Sequence, residues 1–111
     1  MNKKVNLAER FALLEILPAE GNFATLKVVR KLRENLSLKE EELAEYEIKQ
    51  GANNISWNPE KGKKEVEIEI GDFAQGLIRS KLKELNKDNK LIDRYLTLYE
   101  KFVEEDSDDK A

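Results

Sequence analysis

The sequence predicts an α+β fold in a single domain over residues 1–103, with three N-terminal helices, a small three-stranded antiparallel sheet and two C-terminal helices. Apolar residues recur at helical spacing before residue 46 and after residue 72, whereas they alternate with polar residues in between. Turn residues separate the two patterns. A chain of 111 residues is long enough for one hydrophobic core, so we expect one domain.

Two asparagines mark the starts of the first two predicted helices. The side chains of Asn6 and Asn22 can each cap a helix N-terminus. The first helix ends before Pro18, because the residue before a proline avoids the helical region. The second helix covers residues 23–36. Its apolar arc comprises Leu26, Val28, Val29, Leu32 and Leu36.

A capping-box pattern at residues 37–40 predicts a short third helix that ends near residue 45. Residues 46–50 and 55–58 then alternate around a Gly-Ala-Asn-Asn turn, which is typical of a hairpin. After a charged loop at residues 59–63, apolar and acidic residues alternate in the third strand of the predicted sheet. The apolar residues are Val66, Ile68 and Ile70, and the acidic residues are Glu65, Glu67 and Glu69.

Asp72 is the predicted cap of the first C-terminal helix. The apolar face of this helix comprises Phe73, Leu77, Ile78, Leu82 and Leu85. A turn at residues 86–90 separates it from a last helix over residues 91–103. Residues 104–111 are acidic and contain no large apolar side chain, which predicts a disordered tail.

The chain contains neither cysteine nor histidine, and this excludes several classes of function. Zinc sites of the usual kind, Ser-His or Cys-His nucleophiles and imidazole acid/base catalysis all require one of these side chains. The five glycines are scattered, so there is no glycine-rich phosphate loop. We therefore predict a protein that is not an enzyme and that uses no metal and no cofactor.

The charge and hydropathy pattern predicts a cytoplasmic protein without a membrane partner. Charged residues make up 39% of the chain, which is typical of a domain with a highly charged surface. No apolar run approaches the ~20 residues that span a bilayer. The first residues are not followed by a signal-peptide pattern.

Basic residues of the second helix are the main binding candidates. Lys27, Arg30 and Lys31 lie one turn apart on the face that opposes the apolar arc, and Arg33 lies at the edge of this face. The face is either a solvated surface or an anion site. In an anion site, Arg30 would form a fork with a phosphate, and Lys27 or Lys31 would add a point charge.

Trp57 and Lys81 are two further candidates. Trp57 is the only tryptophan and lies on a short predicted strand, where it either anchors the core or offers a surface to a flat ligand or a partner's pocket. Lys81 falls inside the apolar arc of the helix that follows Asp72. Its stem either extends along apolar surface to solvent, or its ammonium group pairs with a buried carboxylate or a bound anion.

Three helices followed by a hairpin is the element order of a winged helix, a DNA-binding architecture whose third helix enters the major groove. In this chain, residues 38–45 contain four glutamates and one lysine. Because attraction to phosphates supplies most of the affinity for DNA, these glutamates disfavour duplex DNA as a partner.

Four stretches of the chain form a recognisable set: ERFALLEILPAEGNFATLKVVRKL, ISWN, EVEIEIG and LTLYEKFV. Together they resemble a family of small hypothetical proteins of tailed phages and prophages, and the resemblance extends from about Leu7 to Val103. It implies a viral origin and a location in the host cytoplasm. It implies no catalytic residues, because the family has no assigned activity.

We therefore predict a non-enzymatic phage accessory protein that binds a host component, in host takeover or counter-defence. A host protein is the expected partner, since separated acidic and basic regions favour docking onto a complementary surface. The alternative is a sponge that binds a nucleotide or another small anion through the basic helix face. A third interpretation is a nucleic-acid-binding regulator. The sequence does not determine whether the protein is a monomer or a homo-oligomer.

Overall fold

The computed structural model describes residues 2–104. Within this range the chain forms six α-helices, a π-helical turn and two two-stranded sheets, which confirms the predicted mixture of helices and strands. Residues 105–111 of the predicted acidic tail lie outside the described residues.

The helices and strands follow one another in an order that begins with a strand. They are β1 (Asn2–Val5), α1 (Leu7–Ile16), α2 (Phe23–Leu36), α3 (Glu40–Glu45), β2 (Lys49–Gln50), β3 (Ile55–Ser56), α4 (Pro59–Gly62), β4 (Val66–Glu69), α5 (Asp72–Lys87), α6 (Asp93–Tyr99) and the π-helical turn (Glu100–Glu104). The predicted hairpin is present as β2 and β3, although each strand has only two residues.

The predicted three-stranded sheet is wrong, because β4 does not pair with the hairpin. β4 pairs antiparallel with β1, and Lys4 lies opposite Glu67 while Val5 lies opposite Val66. Among residues 2–104, β2 and β3 pair only with each other. The hairpin strands are exposed along their whole length, so they offer β4 no apolar face. β1 does, since Val5 is fully buried and extends the apolar side of β4.

The predicted split into three helices and two helices is also wrong, since α4 replaces part of the predicted charged loop. The side chain of Asn58 accepts hydrogen bonds from the amides of Glu60 and Lys61. Pro59 occupies the first position of the helix. A capping asparagine followed by proline favours a helix start, because proline lacks an amide that would need a partner there.

The predicted caps of the long helices have mixed outcomes. Asn6 is confirmed in a full capping box, in which Asn6 and Glu9 each accept a hydrogen bond from the other's amide. Asn22 is confirmed as well, since its side chain accepts from the amide three residues later. The predicted cap of α5 is wrong, because Gly71 precedes the helix and Asp72 is its first residue.

The start of α3 also differs from the predicted capping box at residues 37–40. Ser37 ends α2, and its hydroxyl group donates a hydrogen bond to the carbonyl oxygen of Arg33. The residue before α3 is Lys39, whose amide donates to the carboxylate of Glu42. The serine hydroxyl group is therefore used by the helix it ends and is not available to the helix that follows.

A buried arginine fixes α3 to the rest of the domain. Arg10 of α1 is 2% exposed and donates hydrogen bonds to the carbonyl oxygens of Leu36 and Ser37 at the end of α2. It also contacts both carboxylate oxygens of Glu42, the shorter distance being 2.7 Å. One guanidinium group thus joins α1, α2 and α3.

The hydrophobic core is formed by the β1–β4 sheet, helices α1, α2, α5 and α6 and the π-helical turn. Its fully buried side chains include Val5, Leu13, Leu36, Ile70, Ile78, Leu82, Leu98 and Phe102. The alternation predicted at β4 is confirmed, since Ile68 and Ile70 are buried and Glu67 and Glu69 are exposed.

Candidate functional site

One face of α2 is exposed and carries both aromatic and basic side chains. Phe23 is the first residue of the helix and is 79% exposed. Lys27 and Arg30 follow it after one turn and two turns, so the three side chains lie on the same face. The buried residues of α2 are Val29, Leu32 and Leu36, on the other side of the helix. The solvent side of α2 is therefore partly apolar.

A cleft of about 480 Å³ separates α2 from the first turn of α5. Its apolar lining includes Val28, Leu32 and Ala74. Lys27 and Lys31 line it from α2, and both side chains are exposed. Phe73 lines it from α5 and is 55% exposed. An aromatic ring and two ammonium groups thus border one apolar depression.

A second, smaller hollow of about 170 Å³ lies beside this cleft. Phe23, Leu26, Lys27 and Arg30 line it. Because Lys27 lines both depressions, they belong to one continuous surface. We call this the α2–α5 surface, and it consists of Phe23, Leu26, Lys27, Arg30, Lys31 and Phe73.

The cations of the α2–α5 surface lack carboxylate partners within the described part of the chain. Lys27, Arg30 and Lys31 form no ion pair there, in contrast to Arg10, Lys61, Lys64, Arg94 and Lys101. Two acidic residues, Glu69 and Asp72, line the larger cleft opposite the lysines. The charge of the larger cleft is therefore close to balanced, whereas both charged residues that line the smaller hollow, Lys27 and Arg30, are cations.

The other residues predicted from the sequence lie apart from this surface. Arg33 is half-buried on α2 and lines neither depression. Trp57 packs against Phe11 in a different cleft, with ring centroids 5.2 Å apart. The side chain of Lys81 is 41% exposed, and its ammonium nitrogen lies 3.6 Å from a carboxylate oxygen of Glu84. The structure thus brings together three of the six predicted residues.

The aromatic residues of the surface are absent from the predicted site. The predicted apolar face of α5 includes Phe73, and this is wrong because its side chain is 55% exposed. At about 100° per residue, Phe73 lies about 140° around the helix from Ile78, which is fully buried. The sequence does contain a signal for Phe23, because its spacing to Lys27 and Arg30 places it on the basic face of α2.

α3 is acidic in the structure as well as in the sequence. None of its residues is buried, and Glu40, Glu41 and Glu45 are exposed. The Arg10 guanidinium group beside Glu42 lowers the pKa of that carboxyl group, and partial burial raises the pKa by less. A helix with this charge would repel the phosphates of a DNA groove.

Comparison of the chain with models of protein families, with curated proteins and with solved structures gave no match. Within residues 2–104, no group of three or more acidic, cysteine or histidine side chains is arranged to hold a metal ion. None of the helices in this range has the length and apolar character needed to cross a membrane.

Proposed function

We propose that the protein acts by binding another protein through the α2–α5 surface, and that it has no enzymatic activity. One observation carries this proposal: Phe23 and Phe73 are largely exposed beside Lys27, Arg30 and Lys31, which have no ion-pair partner in the described residues. Exposed aromatic rings grouped with an arginine side chain are typical of a surface that a partner covers.

The chemistry of the surface indicates the kind of partner. Aromatic and arginine side chains supply most of the energetic anchors in protein interfaces. The partner would place an apolar side chain between Phe73 and the lining of the larger cleft. It would place carboxylates near Arg30 and Lys31, where charge-assisted hydrogen bonds can form. An acidic protein surface with a protruding apolar residue fits both requirements.

A sponge for a nucleotide or another small anion is the second candidate for the same face. Lys27 and Lys31 line the larger cleft, which favours an anion, but Glu69 and Asp72 line it as well. A phosphate dianion in this cleft would meet two carboxylates, and the repulsion would offset much of the attraction to the lysines. In the smaller hollow, Lys27 and Arg30 have no acidic residue beside them in the described lining, so a phosphate bound there is the form of the sponge that Arg30→Ala tests.

A nucleic-acid-binding regulator is the third candidate. α3 and the hairpin that follows it would have to approach the duplex, and α3 exposes Glu40, Glu41 and Glu45. The basic residues on α2 are too few to replace the multiple phosphate contacts that nucleic-acid binding requires.

The biological setting that we propose is a host cell infected by a phage. The resemblance to small phage and prophage proteins supports a viral origin and action in the host cytoplasm, and the separated acidic and basic regions support a host protein as partner. Host takeover or counter-defence is the corresponding role, because a small binding protein can occupy a surface that a host component needs.

Affinity capture from infected host cells, with three variants beside the unchanged protein, tests the proposal. Phe73→Ala and Arg30→Ala each remove one anchor of the α2–α5 surface. Leu96→Ala is the matched control, because Leu96 lies on α6 and is 55% exposed, as Phe73 is. We expect the same host protein with the unchanged protein and with Leu96→Ala, and much less of it with the other two variants.

Two results of this capture experiment would contradict the proposal. Equal recovery of the host protein with all variants would place the interface elsewhere. A nucleotide that co-purifies with the unchanged protein and disappears in Arg30→Ala, without any protein partner, would favour the sponge.

A further inference from the structure

A separate cleft of about 610 Å³ lies between α1, the turn that joins β2 to β3, and the first turn of α6. This volume is in the range of about 300–1,000 Å³ that small-molecule sites occupy. None of the six residues that form the α2–α5 surface lines this cleft. Binding of a ligand in this cleft would therefore be independent of the proposed function.

Two aromatic rings form one wall of this cleft. Phe11 of α1 and Trp57 are half-buried, with centroids 5.2 Å apart and planes inclined by 39°. The indole is held from behind by α4, since a Cβ atom at Gly62 would lie 2.6 Å from its Nε1 atom. The wall is therefore in place before any ligand arrives, and a flat ring could stack on it without loss of side-chain freedom.

Two amide side chains line the same cleft from the hairpin turn. Asn53 and Asn54 both line it, and neither side-chain amide forms a hydrogen bond with another residue of the described chain. Each carries one carbonyl oxygen that accepts and one amino group that donates. This combination matches the edge of a heteroaromatic ring, where acceptors and donors alternate.

The charged groups at the cleft neutralise each other. A guanidinium nitrogen of Arg94 lies 3.2 Å from a carboxylate oxygen of Glu15, and both residues line the cleft. The other carboxylate oxygen of Glu15 accepts a hydrogen bond from the Tyr95 hydroxyl group at 3.1 Å. A ligand with a net charge would meet one attractive and one repulsive group, so the cleft favours an uncharged ligand.

We propose that this cleft binds a neutral, flat heteroaromatic molecule of about the size of a nucleoside. The ring stacks on the indole of Trp57, with Phe11 beside it, and its polar edge forms hydrogen bonds with the amides of Asn53 and Asn54. The Glu15–Arg94 pair stays intact at the mouth of the cleft.

Intrinsic fluorescence tests this proposal directly, because Trp57 is the only tryptophan in the chain. The full protein is titrated with adenosine, guanosine, cytidine and uridine as probes. We expect a saturable change of the emission with at least one of them, with a dissociation constant below about 1 mM, since stacking on an aromatic wall and hydrogen bonds together supply at least that affinity.

Variants and a charged analogue locate the ligand within the cleft. Asn53→Ala is expected to weaken binding by about fivefold, the loss of one neutral hydrogen bond. Asn86→Ala on α5, outside the cleft, is the matched control and should bind as the unchanged protein does. The 5′-monophosphate of the best nucleoside should bind no more tightly than the nucleoside itself.

Three results of these titrations would overturn the proposal. No saturable change with any of the four nucleosides up to about 1 mM would mean that the cleft does not bind this class of molecule. Tighter binding of the monophosphate would show that a phosphate group is recognised and that the charge argument is wrong. Equal binding by Asn53→Ala and Asn86→Ala would place the ligand at another site.

Discussion

Individual side chains hold the helices of this small domain together, and Arg10, which joins three of them, is the clearest case. Its guanidinium group satisfies two carbonyl oxygens at the end of α2 and the carboxylate of Glu42. With only 2% of its surface exposed, it has little access to water as a substitute partner. Removing it would leave buried acceptors and a carboxylate without their donor.

We expect Arg10→Ala to lower the free energy of unfolding by about 3–5 kcal/mol, the usual effect of breaking a buried ion pair by removing one partner. Arg94→Ala is the control, because the Arg94 and Glu15 side chains are 59% and 40% exposed and such pairs contribute at most about 1 kcal/mol. Urea unfolding curves of both variants measure the difference. Similar losses for the two variants would contradict the structural role of Arg10.

The same ion pair predicts how stability depends on pH. The pKa of Glu42 is lowered by Arg10 from its ordinary value of 4.5, so the folded chain binds this proton more weakly than the unfolded chain does. The pair therefore contributes stability above pH 4.5, and the contribution is lost as the pH falls below 4.5 through the lower folded-state pKa.

The free energy of unfolding of Glu42→Gln should therefore fall less between neutral pH and about pH 3 than that of the unchanged protein does. Denaturant melts at a series of pH values measure this dependence. Parallel curves for the two proteins would mean that the Arg10–Glu42 pair does not titrate as the structure indicates.

At the scale of helices and strands, the patterns predicted the long helices and the hairpin but not β1 or α4. α1 and α2 have capping asparagines and apolar residues at a clear helical period, so each was predicted with its cap. β1 could not be found in this way, because Val5 is its only apolar residue and its pairing with β4 joins residues far apart in the sequence. The spacing of apolar residues along a strand does not identify the strand with which it pairs.

The π-helical turn at the C-terminal end of the described chain is another element without a local signal. It is tied to β1 and α1 by Lys101, whose ammonium group contacts the carbonyl oxygen of Lys4 and carboxylates of Glu9 and Glu65. Burial lowers the pKa of Lys101, but the hydrogen bonds to Glu65 and Glu9 and the attraction of their charges together leave the pKa raised. These contacts depend on tertiary structure, which no pattern within residues 100–104 contains.

The same limit explains which parts of the candidate site were predicted. Lys27, Arg30 and Lys31 were found because they share a face of a single helix. Phe73 was not, because its contribution depends on how α5 lies against α2. A site formed by one helix can be predicted from spacing, whereas a site between two helices requires their packing.

β4 offers a test of the sheet at this scale. Ile68 is 6% exposed on the apolar side of β4, and Glu67 is exposed on the other side. We expect Ile68→Ala to lower the free energy of unfolding by about 2–4 kcal/mol, because it creates a cavity in a small core. Glu67→Gln should change it by less than about 0.5 kcal/mol, as is usual at exposed positions. Equal effects of both substitutions in denaturant melts would contradict the burial pattern.

At the scale of the whole molecule, charge is divided between surfaces. The basic residues Lys27, Arg30 and Lys31 lie on α2, whereas α3 and the outer side of β4 are acidic. The chain carries a net charge of −3 at neutral pH, so its overall charge does not attract a polyanion. Such a charge distribution favours docking onto a partner of complementary charge over the binding of a polyanion.

The purified protein is therefore expected not to bind duplex DNA at physiological salt. A gel-shift or anisotropy titration with a ~20-base-pair duplex measures this, because DNA affinity that depends on phosphate contacts must fall steeply with salt. Micromolar binding that weakens with added salt would contradict the expectation and would favour a nucleic-acid-binding regulator.

The most direct test of the central claim is the rate at which the captured host protein dissociates from the unchanged protein and from Phe73→Ala, Arg30→Ala and Leu96→Ala. We predict that all three variants melt within error of the unchanged protein, since the substituted side chains are exposed. We predict that Phe73→Ala and Arg30→Ala dissociate at least about tenfold faster, because the loss of an interface anchor acts mainly on the off-rate, and that Leu96→Ala does not. Equal dissociation rates for all three variants would contradict the assignment of the α2–α5 surface. So would a nucleotide that raises the melting temperature by several degrees in the unchanged protein and not in Arg30→Ala.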